Sequence, residues 1–167
     1  MIFRGPAGPE NRLRSSGIEL LLASSIALFQ ELAFIRWLPG EVRVVAYFPN
    51  LILIAAFLGL GAGSLRGGSK SLLIWWPVSV VITVLTGVLL SGVAFTAEGI
   101  SEHLWLLYYD LGEAAPVVEG IRLPILGIFA LVTFSFVPLG QVIGRKLQVF
   151  REAGFSLRGY AADLGGS

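Results

Sequence analysis

Glu31 is the side chain best placed to do chemistry in this sequence, because it stands inside a long apolar run with Gln30 before it and Arg36 five positions on. If that run crosses a bilayer, a charge near its centre costs at least about 2.5 to 3.5 kcal/mol, so an acid there points to a partner or a ligand. A step of five turns Arg36 about 140 degrees round a helix from Glu31, and only bent side chains could pair them. Glu31 can instead meet Arg43 across the next turn, bond Asn50 on the following helix, carry its proton, or hold a cation. Gln30 points to a different face and suits a hydrogen bond between helices.

Other chemistry is sparse. His103 is the single histidine and there are no cysteines, which removes multi-histidine metal sites, thiolate nucleophiles and disulfides. Ser15, Ser16, Ser24 and Ser25 have no His or Lys nearby and read as small packing or capping residues. The run Asp163-Leu164-Gly165-Gly166-Ser167 is glycine-rich, but no strand precedes it and no helix follows, so it carries no weight as a nucleotide loop. No catalytic, cofactor-binding or metal-ligating residue is expected, and no enzyme activity.

The elements that must position Glu31 follow from composition. The chain has 167 residues, 55% hydrophobic and 14% charged, with mean hydropathy +0.80, where a soluble domain carries about 25% charged residues. Four stretches approach the roughly 20 apolar residues that a membrane helix needs: 18–38, 44–65, 71–97 and 123–144. The first contains Glu19, Glu31 and Arg36, but Glu19 and Arg36 lie near its ends, where long side chains reach headgroups and water. A cleaved signal peptide would not usually carry a Gln-Glu pair, so this helix is read as retained. The expected fold is an all-α, integral membrane four-helix bundle, multi-pass in the cell (inner) membrane, with tails at 1–16 and 145–167 around a transmembrane domain at 17–144. A net charge of +1 with scattered Lys and Arg offers no basic stripe for nucleic acid.

Orientation follows from the basic residues of the connections. A cytoplasmic N-terminus puts Arg4, Arg12, Arg14, Arg66, Lys70, Arg145, Lys146, Arg151 and Arg158 inside, against Arg36, Arg43 and Arg122 outside. Both tails are then cytoplasmic. The connection between the third and fourth helices is acidic and contains Trp105, Tyr108 and Tyr109, which suits a short helix in the outer headgroup layer or a lid on the bundle mouth.

Gly59, Gly61 and Gly63 form the strongest packing signal, because Gly59 and Gly63 share one helix face and let another backbone come close. Pro49-Asn50 and Pro138 should kink the second and fourth helices.

Two stretches then resemble a known family. Leu28 to Arg36 resembles the first membrane helix of membrane-bound spermidine-synthase-like proteins, where a Glu precedes an Arg by the same five-residue step. Ala55 to Leu65 is similar to that family's glycine-rich second helix, and Gly159 to Ser167 is a weaker third match. The resemblance touches about 30 residues in the right order. It implies a membrane domain that, in the family, precedes a Rossmann-like aminopropyltransferase domain absent from this sequence, so no catalytic residue carries over. Glu31, Arg36, Gly59 and Gly63 carry over as motif positions.

Two functions follow as expectations. One is a non-catalytic membrane domain that anchors, or handles polyamine through Glu31. The other is an accessory subunit of a larger membrane assembly, such as an energy-converting complex. A small transporter is disfavoured, because four spans without an internal repeat need oligomerisation to make a pathway. The partners are membrane lipid and other membrane subunits or further copies, with no nucleic acid. An inward-facing Glu31 beside water favours the first function, and glycine faces turned to lipid favour the second.

Overall fold

The computed structural model describes residues 9–48, 50–91, 93–96, 117–119, 122–154, 161 and 163–166. They form α1 (Pro9–Glu41), α2 (Arg43–Ala46), α3 (Leu51–Leu65), a 3-10 turn (Leu73–Trp75) leading into α4 (Trp76–Leu90), β1 (Ala94–Thr96), β2 (Val117–Glu119) and α5 (Arg122–Glu152). The protein is helical, and three stretches are long and apolar enough to cross a membrane: Ser15–Glu41, Leu73–Leu90 and Pro124–Glu152.

Several boundaries differ from the sequence reading. The first helix starts at Pro9, inside the expected tail. The second stretch is interrupted rather than kinked: α2 ends at Ala46 and α3 starts at Leu51. Pro49 has no N–H to continue a helix, and it disfavours helical geometry at the residue before it. The remaining α3 has 15 residues, about 22 Å at the helical rise against a hydrocarbon core of about 30 Å. Helix α4 stops at Leu90, short of the expected Ala97; the Ser91 hydroxyl donates to the Val88 carbonyl at 2.8 Å. Beyond it the β-favouring run Val93-Ala94-Phe95-Thr96 is extended, and β1 pairs parallel with β2 in the register Ala94 with Val117 and Thr96 with Glu119. Among the described residues this short ladder is the exception to an all-α chain. Helix α5 runs unbroken through Pro138 and beyond Gly144 to Glu152. The turn that follows reaches Gly154, whose φ of +75° suits a left-handed cap. The outer segment with His103, Trp105, Tyr108 and Tyr109 lies outside the described residues.

Helix α5 is the axis of the structure and the most buried of the three long apolar helices, with α4 the least. Helix α3 lies along it and runs parallel to it, since Gly59 meets Thr133 and Phe136, Gly63 meets Val137 and Gln141, and Gly67 meets Arg145. Helix α1 runs antiparallel, with Glu19 paired to Lys146 at one end and Phe34 edge-on to Phe136 at 6.1 Å further along. Helix α4 runs parallel to α1, and Trp37 seats its ring on Gly87. The apolar core gathers where these helices meet, around Leu38, Val42, Val45, Ile52, Val132 and Phe136.

Apolar side chains gain little by leaving lipid for protein, so close backbone contact must supply the packing. A Cβ at Gly63 would lie 2.7 Å from the Gln141 nitrogen, one at Gly140 2.7 Å from the Leu60 Cα, and one at Gly144 2.6 Å from the Ser64 Cα. These obstacles are backbone and cannot rotate aside. Gly61, expected in the same set, has nothing within 4 Å of its Cβ position. Gly63→Leu should therefore destabilise the fold by at least about 1–3 kcal/mol, while Gly61→Ala should be neutral or stabilise it by up to about 1 kcal/mol. Thermal unfolding in detergent checks the contrast.

Candidate functional site

Two glutamines hold the helices around the candidate site. Gln30 is 5% exposed on α1; its Nε2 donates to the Ser135 hydroxyl of α5 at 2.9 Å, and its Oε1 accepts the Trp76 indole N–H of α4 at 2.7 Å. Ser135 in turn donates to the Val132 carbonyl at 2.7 Å. One amide thus ties three helices through both of its polar atoms, leaving neither to be desolvated without a partner.

Gln141 makes a comparable set of bonds six residues further along α5, to the connection between α3 and α4. It is 1% exposed, its Oε1 accepts the Leu72 backbone N–H at 2.8 Å, and its Nε2 faces the Lys70 carbonyl at 2.8 Å, the Ser69 hydroxyl at 2.9 Å and the Arg66 carbonyl at 3.1 Å. One turn on, Arg145 donates through Nε to the Gly67 carbonyl and through a terminal nitrogen to the Ser69 carbonyl, both at 2.9 Å. The α3–α4 connection is therefore stitched to α5 by side chains, with its carbonyls satisfied from below.

Glu31 is part-buried and opens onto a groove of about 490 Å³. Ala27, Leu28 and Glu31 of α1 form one wall, Phe57, Leu60 and Ser64 of α3 the other, and Gly140, Ile143 and Leu147 of α5 lie between them. Gly61 also borders the groove, which explains the open space above it. The groove is mostly hydrocarbon, and its acidic groups are Glu31 and Asp163. Asp163 comes from the helical residues 163–166, which return against α1: its carboxylate accepts the Ser24 hydroxyl, and Gly166 sits on the Leu21 carbonyl.

The other expected polar contacts are not made. Among the described residues Glu31 has no hydrogen bond or ion pair, and Arg36 is exposed without a partner. Asn50 is exposed at the N-terminal boundary of α3 and makes no side-chain cap bond. The Arg43 side chain lies outside the described atoms. Among the described residues no group of three or more His, Asp or Glu could hold a metal ion.

Sequence reasoning missed Gln141, Arg145 and Asp163. Gln141 had a readable signal, an amide in an apolar run three residues after Pro138. Asp163 had none, because its place beside Ser24 depends on a contact between residues 139 positions apart.

Comparison with protein-family models, curated proteins and solved structures finds no match to this chain.

Replacing Gln141 by Leu strips four backbone and hydroxyl groups of their shared partner. The α3–α4 connection should then exchange its amide hydrogens roughly tenfold to a hundredfold faster, as expected for a loss of about 1–3 kcal/mol. Exchange at Leu72, whose N–H donates to Gln141, reads this directly by mass spectrometry.

Proposed function

We propose that this chain is a multi-pass membrane domain of the cell (inner) membrane. It crosses the bilayer four times with both tails cytoplasmic, and it receives a cationic group at Glu31 from the lateral groove. The single observation that carries the ligand reading is Glu31 facing a groove between helices with no cation beside it among the described residues. A carboxylate in a largely apolar cleft favours a positively charged guest, because the surrounding hydrocarbon screens the attraction far less than water does. The chemistry suits an amine with an aliphatic body, whose methylenes lie against Phe57, Leu60 and Ile143 while its ammonium meets Glu31.

The accessory-subunit reading called for glycine faces turned outward. Gly59 and Gly63 are turned against α5 instead, which supports a self-contained domain over a subunit glued by those faces. The spermidine-synthase-like resemblance of Leu28–Arg36 fits the amine reading, since it falls on the segment that carries Glu31.

The helix directions support the topology. Helices α1 and α4 run one way and α3 and α5 the other, and the start of α1 meets the end of α5 through Glu19 and Lys146. The chain is free of native cysteine, so single cysteines report sidedness cleanly. Ser69→Cys should be protected from an impermeant maleimide added outside intact cells and labelled in inverted vesicles, and Gly40→Cys should behave oppositely.

Glu31→Gln should insert and fold as the parent does. Spermidine should raise the melting temperature of the parent in detergent by a few degrees, and the shift should vanish in the variant. An equal shift in both removes Glu31 from ligand binding.

A further inference from the structure

The α3–α4 connection gathers positive charge on a different flank of α5 from the Glu31 groove. Two neighbouring cations of α5 have different fates there. Lys146 is paired with Glu19 of α1, whereas Arg145, about 100 degrees round the helix, turns to the connection and meets the Gly67 and Ser69 carbonyls. Those two bonds leave its guanidinium with further N–H donors. Arg66 and Lys70 stand in the same connection with exposed side chains, and neither makes a hydrogen bond or an ion pair among the described residues. Their backbone carbonyls converge on Gln141 Nε2 at 3.1 and 2.8 Å, one turn before Arg145. Three cations therefore share one small patch, and no carboxylate of the described residues pairs with any of them.

Beside this patch the bundle is apolar and open. Helices α3 and α4 pack on α5 and scarcely on each other. On α5, Thr133 meets Gly59 of α3, and Ser135 bonds Gln30, which holds Trp76 of α4. Phe134, between those two contacts, is 53% exposed. It precedes Gln141 by seven positions, about 10 Å along the axis and about 20 degrees round it. The gap between α3 and α4 thus runs along α5 from the basic connection to the Phe134 ring. Leu65, Ile74 and Trp75 are exposed where α3 ends and α4 begins, an apolar rim carrying the aromatic type that favours headgroup depth.

We infer that this notch holds one anionic phospholipid, with its phosphate on Arg66, Lys70 and Arg145 and an acyl chain laid over Phe134 between α3 and α4. The two halves of the notch ask for the two halves of such a molecule. A soluble anion would meet the cations and leave the apolar gap empty, and a neutral lipid would fill the gap and leave the cations unpaired. Phosphate suits arginine because the guanidinium fork can bond two of its oxygens at once. The bonds to Gly67 and Ser69 hold Arg145 in place beforehand, so less side-chain freedom is lost when the lipid arrives.

The experiment uses the purified full chain in a nonionic detergent and follows lipid retention by native mass spectrometry. Phosphatidylglycerol and phosphatidylcholine with the same acyl chains are the probes. One phosphatidylglycerol should be retained roughly a hundredfold more tightly than phosphatidylcholine, at about fivefold for each of three cations. The double variant Arg66→Gln, Lys70→Gln should keep the parent's melting temperature and only about a fivefold preference. Phe134→Ala should weaken both lipids alike, and Glu31→Gln should change neither, which separates this site from the amine reading. Equal retention of the two lipids by the parent, or a full preference in the double variant, overturns the proposal. Displacement of the lipid by millimolar inorganic phosphate would reveal a free-anion site and overturn it too. Disulfide-linked pairs formed by Phe134→Cys, undiminished by phosphatidylglycerol, would show a second copy in the notch with the same consequence.

Discussion

The structure depends on the backbone contact between α3 and α5. In lipid a leucine gains little by turning from a hydrocarbon tail to another leucine, so helices adhere where backbones can approach and dispersion contacts become dense. Gly59 and Gly63 supply the approach from α3, and Gly140 and Gly144 supply it from α5. At each of the four glycines the space that its own Cβ would need is filled by backbone of the other helix. Two parallel helices are thereby fixed in register, and every other element is placed relative to that pair.

The groove is a consequence. Helix α3 uses its glycine face on one flank of α5, and α1 lies on another flank, held by the Gln30 link to Ser135 and by Glu19 with Lys146. Since α5 separates them along this stretch, α1 and α3 form the two walls of a cleft floored by Gly140 and Ile143. Glu31 follows Gln30 by one position, about 100 degrees round the helix. If Gln30 faces the interior to bond Ser135 and Trp76, its neighbour must face the flank, and that flank is the cleft. The inward amide and the groove-lining acid are two results of one helical rotation.

Much of this was legible in the residues. Apolar runs announced the long helices, and the spacing of Gly59 and Gly63 announced a close neighbour. Gln30 read as a bond between helices from its place in an apolar helix, and it makes two. What could not be read was which helix the glycines would meet, because their partner α5 starts about 60 residues later and its own Gly140 and Gly144 look ordinary alone. The extent of α4 was misjudged because hydropathy treats Val93, Phe95 and Thr96 as membrane-compatible, although these residue types suit an extended strand as well. Gly61 was grouped with its neighbours by composition, but a residue two positions from Gly59 lies about 200 degrees round the helix. Period, rather than glycine content, separates the packed residues from the open one.

The contrast between the two glutamines and Glu31 bears on function. Gln30 and Gln141 are almost fully buried and use both ends of their amides, so their polarity is consumed by the fold. Glu31 is the more costly group to hold in a membrane, yet it makes no such bond among the described residues. A structural role would need the reverse, with the costly charge satisfied and the cheaper amides left at the edge. On the proposed amine reading, the fold closes its own polar contacts and keeps a carboxylate for a guest, where hydrocarbon walls would strengthen the field that a cation meets.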